Sequence, residues 1–215
     1  MAERYGMRMQ VRHHGPYDPE ADIIYNFRAN LPLEGVSELR ASHMVRDPRD
    51  IVVSGYHYHL WTKERWVHIP MEEYGGKTYQ EYLNELDQAE GIATEIRRQS
   101  GIMFKGMAAW DYAQPEFLEL RYEEVIADEE TWFSRLFRHY GFTEAAIAES
   151  VSIARAFSFS KITGRKIGEQ QQGDHLRSGR HGQWRDEFTP EHIALFKELT
   201  GDLVVRLGYE TDPGW

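Results

Sequence analysis

The chain of 215 residues contains no cysteine. This absence excludes disulfide bonds, thiolate nucleophiles and cysteine-ligated metal sites, and it is typical of the reducing cytoplasm, which is the expected location. Apolar runs are short as well, since none approaches the roughly 18 residues that a membrane-spanning helix needs. The first residues mix Glu3, Arg4 and Arg8 with other types and form no apolar core. No signal peptide and no membrane association are therefore expected.

Positive charge is scarce across the chain as a whole. The sequence has 25 lysine and arginine residues against 35 aspartate and glutamate residues, which gives a formal net charge of −10. A field of that sign opposes nonspecific binding to nucleic acid, so no nucleic-acid partner is expected. An anionic ligand would have to bind local clusters of arginine, and the regions around Arg46 and residues 177–185 are the evident ones.

The sequence does contain enough apolar residues for a folded core. Hydrophobic types make up 41% and charged types 28% of the chain, so disorder is not expected. The length fits one domain spanning residues 1–215. Strand-like segments lie at 7–13, 40–45 and 117–120, with a short strand or loop at 23–25. Helix-like segments alternate with them at 48–61, 78–98 and 128–140 and from 143. A last helix begins at the cap Thr189-Pro190 and runs through Val204. This alternation predicts an α/β layer with a parallel sheet.

Residues 45–54 form the most informative segment, because they predict a buried strand that ends in a turn opening a helix. Pro48 fits the first turn of a helix, where its missing N–H costs nothing. Arg46 lies at the carboxyl end of the strand, and Ser54 follows eight residues later, about two helical turns on. An arginine fork and a hydroxyl near a helix start can hold a phosphate. The alternative interpretation is a surface network of arginine and aspartate.

Residues 46–58 also resemble the 3′-phosphate-binding segment of the sulfotransferases, which use 3′-phosphoadenosine 5′-phosphosulfate (PAPS) as sulfuryl donor. Three later segments resemble the same family in the same order: residues 118–124, 158–166 and 177–185. The resemblance runs from about residue 7 to the C-terminus. It implies the family's P-loop kinase-like three-layer fold, with a central, mostly parallel sheet flanked by helices.

The resemblance also implies roles for particular residues. Arg46 and Ser54 would contact the 3′-phosphate. Tyr122 would reach the adenine region and Phe159 would pack on the adenine, with Phe157 as the fallback. The basic loop, residues 177–185, would also grip the 3′-phosphate through Arg177, Ser178 and Gly179.

Two features depart from the family pattern. The Gly-rich or P-loop-like turn that holds the 5′-phosphosulfate after the family's first strand has no counterpart, and no G-x-x-x-x-G-K-[ST] motif occurs. The expectation is therefore a domain that is N-terminally truncated relative to the family. Ser178 stands where the family usually has lysine, which weakens one phosphate contact. In the same loop, Trp184 is expected to anchor the backbone in the core.

Residues 12–16, Arg-His-His-Gly-Pro, resemble the family's Lys-Thr-His-Leu-Pro, whose histidine is the catalytic base. This alignment places His14 on the base and leaves His13 as the neighbour most easily confused with it. From the residues alone, a histidine at a strand end is more often structural, because the geometry of a site and not its fold decides function.

The remaining histidines do not predict a metal site. His57 and His59 lie two apart on a predicted helix and so face different directions. His43 is expected to lie in the core of its strand with a hydrogen bond. No H-E-x-x-H motif and no carboxylate cluster with ligand spacing occurs, so no metal is expected.

The expected function is a sulfotransferase that moves a sulfuryl group from PAPS, its co-substrate, to a hydroxyl acceptor, with His14 as general base. The acceptor is expected to be a small molecule or a glycan, and a homodimer is left open. The alternative is a non-catalytic sulfotransferase-like protein that binds 3′-phosphoadenosine. A P-loop phosphotransferase is disfavoured because no Walker lysine is present.

Overall fold

The computed structural model describes residues 2–12, 17–26 and 39–215. The chain divides into two compact units. The first unit comprises Met1–Val45 and Ala109–Ile162, and the second comprises Arg46–Ala108 and Thr163–Trp215. Within the described residues, no helix is both long enough and apolar enough to cross a membrane.

The strands of the first unit pair in parallel. Strand β1 (Met9–Arg12) pairs with β2 (Ile23–Asn26), so the segment predicted as either strand or loop is a strand. Strand β3 (Ala41–Val45) pairs with β4 (Phe117–Arg121), and Val45 lies opposite Arg121 at the carboxyl ends. The parallel pairing predicted from the alternation of strands and helices is confirmed.

Among the described helices of the first unit, two begin at side-chain caps and pack against each other through apolar residues. The described helices are α4 (Tyr122–Ala127), α5 (Glu129–His139), α6 (Glu144–Arg155) and α7 (Phe159–Thr163), the last of which ends just beyond the unit. Asp128 caps α5 by accepting from the N–H of Thr131 at 3.1 Å, and Thr143 caps α6. Apolar side chains on α5 and α6 form a small core of Phe137, Ile147 and Val151.

The second unit contains α1 (Pro48–His59), α2 (Tyr79–Glu85) and α3 (Gln88–Ala109), with two short 3-10 turns at Arg65–His68 and Glu72–Tyr74. The single helix predicted over residues 78–98 is wrong. Leu86 has an extended backbone that ends α2, and the Asp87 side chain accepts from the N–H of Glu90 at 2.9 Å to begin α3. Helical spacing of apolar residues continued across this break, so periodicity did not reveal it.

The second unit ends in three helices: α8 (Trp184–Glu187), α9 (Pro190–Thr200) and α10 (Leu203–Arg206). The last helix was expected to run through Val204, but Gly201, with φ of 59°, ends α9 before that point. The core of this unit is formed by side chains with no measurable exposure, among them Val52, Val53, Leu83, Ile92, Ile96, Phe196 and Val204.

Candidate functional site

Helix α1 begins at a cap that its own sequence supplies. The Asp47 side chain accepts from the N–H of Arg49 at 2.9 Å, and the Asp47 carbonyl accepts from the N–H of Ile51 at 3.0 Å. Pro48 occupies the first turn, where no partner for an N–H is required. The turn and helix predicted after the strand ending at Val45 are thus confirmed.

Arg49 is fully buried in this turn. Its Nε and Nη2 donate to the two carboxylate oxygens of Asp47 at 2.9 and 2.7 Å, and its Nη1 donates to Glu210 at 2.6 Å. The guanidinium carbon lies 3.8 Å from the ring centroid of Trp184 and 4.4 Å from that of Trp215. The arginine–aspartate pair of this segment is therefore an interior network, and the expectation that Trp184 anchors its loop in the core is confirmed.

Asp50 ties the basic loop to the start of α1. Its Oδ2 accepts from the N–H of Gly182 at 2.5 Å, and its Oδ1 accepts from the N–H of Trp184 at 3.1 Å. Gly182 has φ of 74°, a conformation that favours glycine. Burial raises the pKa of Asp50, while the two N–H donors and the charge of Arg46 act to lower it. No sequence pattern predicts this contact, because it joins residues 132 positions apart.

Arg177 and Arg46 lie close enough in the second unit for their charges to interact. Burial lowers the pKa of Arg177, the carboxylate of Glu187 opposes that effect, and the like charge of Arg46 adds to it. Arg177 donates to the side-chain oxygen of Gln183 and reaches Glu187 at 3.5 Å. Two guanidinium groups that repel each other favour an anion between or beside them.

The neighbouring residues of the basic loop are also packed. Ser178 is 3% exposed, and its hydroxyl accepts from the N–H of Arg180 at 3.3 Å. A hydroxyl that accepts one hydrogen bond can still donate another. Gly179 has φ of 60°, so it provides a turn that a side chain would strain. Ser54 lies half-buried on the second turn of α1.

Arg165 organises the chain that leads into the basic loop. Its guanidinium donates to the carboxylate of Asp174 at 2.6 Å and to three backbone carbonyls: those of Glu169, Leu176 and Arg177, at 3.1, 2.6 and 2.8 Å. This role was missed in the sequence, where the only signal was one arginine in a glycine-rich polar stretch. The segment therefore has structure of its own around Arg165.

The predicted adenine contacts lie in the first unit. Tyr122 directly follows β4 and begins α4, and Phe159 begins α7; both side chains are half-buried. Phe157, the fallback, is 69% exposed. Tyr122 and Phe159 each begin a helix, and this position does not test a contact with adenine. Their adenine roles therefore stay predictions from the sequence.

Several histidines within the described residues form hydrogen bonds to carboxylates or backbone carbonyls. His43 Nδ1 lies 2.7 Å from Glu119 Oε2, so the expected hydrogen bond is present, but the residue is half-buried and does not lie in the core. His57 pairs with Glu187 at 2.7 Å, while His59 pairs with Glu95 at 3.0 Å. The prediction that His57 and His59 face different directions is confirmed. Within the described parts of the chain, no cluster of three or more His, Asp or Glu side chains could hold a metal ion.

Glu95 forms a second buried carboxylate site in the second unit. Besides His59, it accepts from the hydroxyl of Tyr79 and, at 2.6 Å, from the amide of Gln99. Burial acts to raise the pKa of Glu95, but the hydrogen bonds and charge of its partners outweigh burial and leave the pKa lowered. The same burial raises the pKa of Tyr79. This network joins α1, α2 and α3.

His13 and His14, the candidate catalytic bases, lie outside the described residues. Strand β1 ends at Arg12, just before them. Their assignment therefore remains a prediction from the sequence.

The comparisons with known proteins agree with the motifs. The family model of the sulfotransferase domain matches residues 36–208, and the chain belongs to the sulfotransferase family. Sulfotransferase 2A1 of Macaca fascicularis and that of Homo sapiens are each 24% identical to the chain over 204 residues. The alignments cover 87% of the chain and 66% of each relative, so the chain spans slightly less than two thirds of their length.

A solved structure has a similar fold. Mouse sulfotransferase SULT7A1, complexed with PAP, matches with a TM-score of 0.51 at 20% identity, over 77% of this chain and 58% of that chain. Similarity at that identity concerns the fold alone. Together with the parallel strands, it confirms the predicted P-loop-like α/β fold.

Proposed function

We propose that this chain provides the nucleotide-binding part of a sulfotransferase that transfers a sulfuryl group from PAPS to a hydroxyl of a small molecule or a glycan. In the second unit, the 3′-phosphate is held by Arg46, Ser54, Arg177, Ser178 and Gly179. The roles of Tyr122 and Phe159 at the adenine follow from the sequence resemblance. The observation that carries the proposal is the pair of hydrogen bonds from the N–H groups of Gly182 and Trp184 to Asp50, which brings the basic loop to the start of α1, where the charges of Arg46 and Arg177 are close enough to interact.

The charges of the second unit fit a phosphate. Arg46 and Arg177 carry like charges that are close enough to interact, and a dianion would interact favourably with both. Asp50 would repel that dianion, but each of its oxygens accepts a backbone N–H, which disperses its charge. The N-terminus of α1, a helix of 12 residues, adds a positive partial charge.

Ser54 adds a neutral donor to these charges. It lies on α1 eight residues after Arg46, and its side chain is half-buried. A hydroxyl in that position donates one hydrogen bond to a phosphate oxygen without adding charge. Arginine supplies the fork that matches a phosphate, which is why the arginines are expected to contribute more to affinity than Ser54.

The proposed reaction needs a base for the acceptor. PAPS supplies the sulfuryl group as co-substrate. The acceptor oxygen forms a bond to sulfur, the bond from sulfur to the bridging oxygen of the 5′-phosphosulfate breaks, and 3′-phosphoadenosine 5′-phosphate (PAP) leaves. His14 takes the proton of the acceptor hydroxyl, a role suited to an imidazole near neutral pH. This assignment rests on the sequence resemblance of residues 12–16.

The test is calorimetry with two nucleotides. Arg46→Ala should weaken binding of PAP by about 1.5–3 kcal/mol, the range for a charge-assisted hydrogen bond. It should weaken binding of adenosine 5′-phosphate much less, because that ligand lacks the 3′-phosphate. Arg97→Ala, at an exposed arginine on α3, is the matched control and should leave both affinities unchanged.

Equal losses for the two nucleotides would sink the assignment of Arg46. Activity is measured separately, as sulfate transfer from PAPS to a panel of alcohols and phenols. A chain that binds PAP and transfers no sulfate would support the non-catalytic alternative.

A further inference from the structure

Glu187, the last residue of α8, is held firmly on one side. Its Oε2 accepts from His57 Nε2 at 2.7 Å and from the amide of Gln88 at 3.3 Å. The Glu187 side chain is 14% exposed. Donors from α1 and from α3 therefore fix the orientation of this carboxylate before any ligand binds.

The other oxygen of Glu187 faces the basic loop. Its Oε1 lies 3.5 Å from Nη2 of Arg177, and the same Nη2 donates to Gln183. The Arg177 side chain is also 14% exposed. Burial and the nearby charge of Arg46 both disfavour a charged guanidinium here, while Glu187 favours it. Glu187 thus opposes the two effects that disfavour the charged form of Arg177 at this position.

We propose that Glu187 is a positioning residue that holds Arg177 for the 3′-phosphate of the nucleotide, and that His57 and Gln88 hold Glu187 in turn. The inference rests on the proposed function and adds three residues to it. Glu187 does not touch the phosphate. Because its own orientation is fixed from the opposite side, it supports Arg177 as a preorganised partner and does not move into the phosphate position.

The sign of the effect separates positioning from simple electrostatics. Removing a negative charge near the site would, by itself, tighten the binding of every anionic nucleotide. Loss of positioning should instead weaken PAP and leave adenosine 5′-phosphate nearly unchanged, since only PAP carries the 3′-phosphate. Glu187→Gln keeps the side-chain volume and removes the charge, so it is the variant of choice.

Calorimetry at one pH and one salt concentration tests this. Glu187→Gln should weaken PAP roughly threefold to tenfold, the loss of one modest hydrogen-bonded contact, and change the affinity for adenosine 5′-phosphate by less than about twofold. Asp186→Asn is the matched control: it removes a neighbouring charge that pairs with Arg180 at 2.8 Å and has a 59% exposed side chain. It should change neither affinity.

A second pair of variants tests the support of Glu187 itself. His57→Ala should weaken PAP selectively, and His57→Gln, whose amide can donate to Glu187, should restore most of that loss. These variants remain informative if Glu187→Gln does not fold.

The outcomes are distinguishable. Wild-type protein that does not bind PAP overturns the proposed function. Wild-type protein that binds PAP, with Glu187→Gln binding it equally well or more tightly, overturns the positioning role alone. Equal weakening of both nucleotides also overturns it, because that result indicates a general structural effect. Failure of His57→Gln to restore what His57→Ala loses overturns the role of His57.

Discussion

Two arginines of the second unit, Arg49 and Arg177, lie in very different surroundings. Arg49 has no exposed surface, makes three hydrogen bonds of 2.6–2.9 Å to carboxylates, and lies against two tryptophan rings. Arg177 keeps some exposure, donates to Gln183, and makes two contacts of 3.5 Å. Contacts of that length are at the weak end for hydrogen bonds.

The difference indicates how a structural arginine can be told from one suited to a ligand. Carboxylates and aromatic faces satisfy both the charge and the planar surface of Arg49, so a phosphate would have to displace native partners. Arg177 has a like charge nearby in Arg46 and weaker partners, so an anion would improve its surroundings. Arg49 and Arg177 thus differ in how fully native partners occupy the guanidinium group, and not in whether the arginine belongs to a motif.

The largest expected effect is on stability and concerns Arg49, the structural arginine of this comparison. Arg49→Met should lower the free energy of unfolding by about 3–5 kcal/mol, because it leaves the carboxylates of Asp47 and Glu210 without their buried partner. Arg49→Lys should also destabilise, since lysine lacks the fork and the flat surface against tryptophan. Urea unfolding followed by fluorescence measures both. A loss below about 1 kcal/mol for Arg49→Met would contradict a structural role.

Part of this fold and site could be predicted from the sequence, because local patterns encode it. Strand alternation and helix caps predicted β3, α1, α5 and α9, where the deciding interactions lie within a few residues. Breaks at Leu86 and Gly201 were missed, because apolar spacing continues across both. Those breaks depend on a capping aspartate and on a left-handed glycine, which periodicity does not weigh.

The long-range contacts of the site could not be predicted from the sequence. Residues 46–50 also allowed the interpretation of a surface network of arginine and aspartate, and only the structure shows Arg49 buried against Trp184. The bonds from Asp50 to Gly182 and from His57 to Glu187 join residues 132 and 130 positions apart. A single sequence contains no local signal for such pairs, since side-chain chemistry alone allows many partners for each carboxylate.

The second prediction concerns Arg177, the arginine of this comparison that is suited to a ligand. Arg177→Met should weaken PAP by about 1.5–3 kcal/mol and change the free energy of unfolding by less than about 1 kcal/mol, since Glu187 keeps His57 and Gln88 as partners. Calorimetry and urea unfolding of the same preparation give the two numbers. The control is Arg180→Gln, whose side chain is 46% exposed and which should change neither. If Arg177→Met unfolds the protein as Arg49→Met does, the distinction between the two arginines fails.

The smallest expected effect concerns Asp50, whose charge interacts with those of Arg46 and Arg177. Burial raises its pKa, the charge of Asp47 adds to that effect, and the loop N–H donors and Arg46 oppose it. The pKa in the unfolded chain is near 3.8. A carboxyl whose folded pKa is raised contributes stability that is complete below the unfolded pKa and is lost as pH rises through the folded pKa.

The stability of wild-type protein relative to Asp50→Asn should therefore fall as pH rises from about 3.8 through the folded pKa, and then level off. A separation of one pH unit between the folded and unfolded pKa values corresponds to about 1.4 kcal/mol. Urea unfolding of both proteins between pH 3.5 and pH 7, within roughly the range where such carboxyls titrate, gives the difference.

Glu95→Gln serves as the control of opposite sign, because the lowered pKa of Glu95 makes wild-type stability fall as pH decreases. If the Asp50 difference has the same slope as the Glu95 difference, then the N–H groups of Gly182 and Trp184 and the charge of Arg46 outweigh burial.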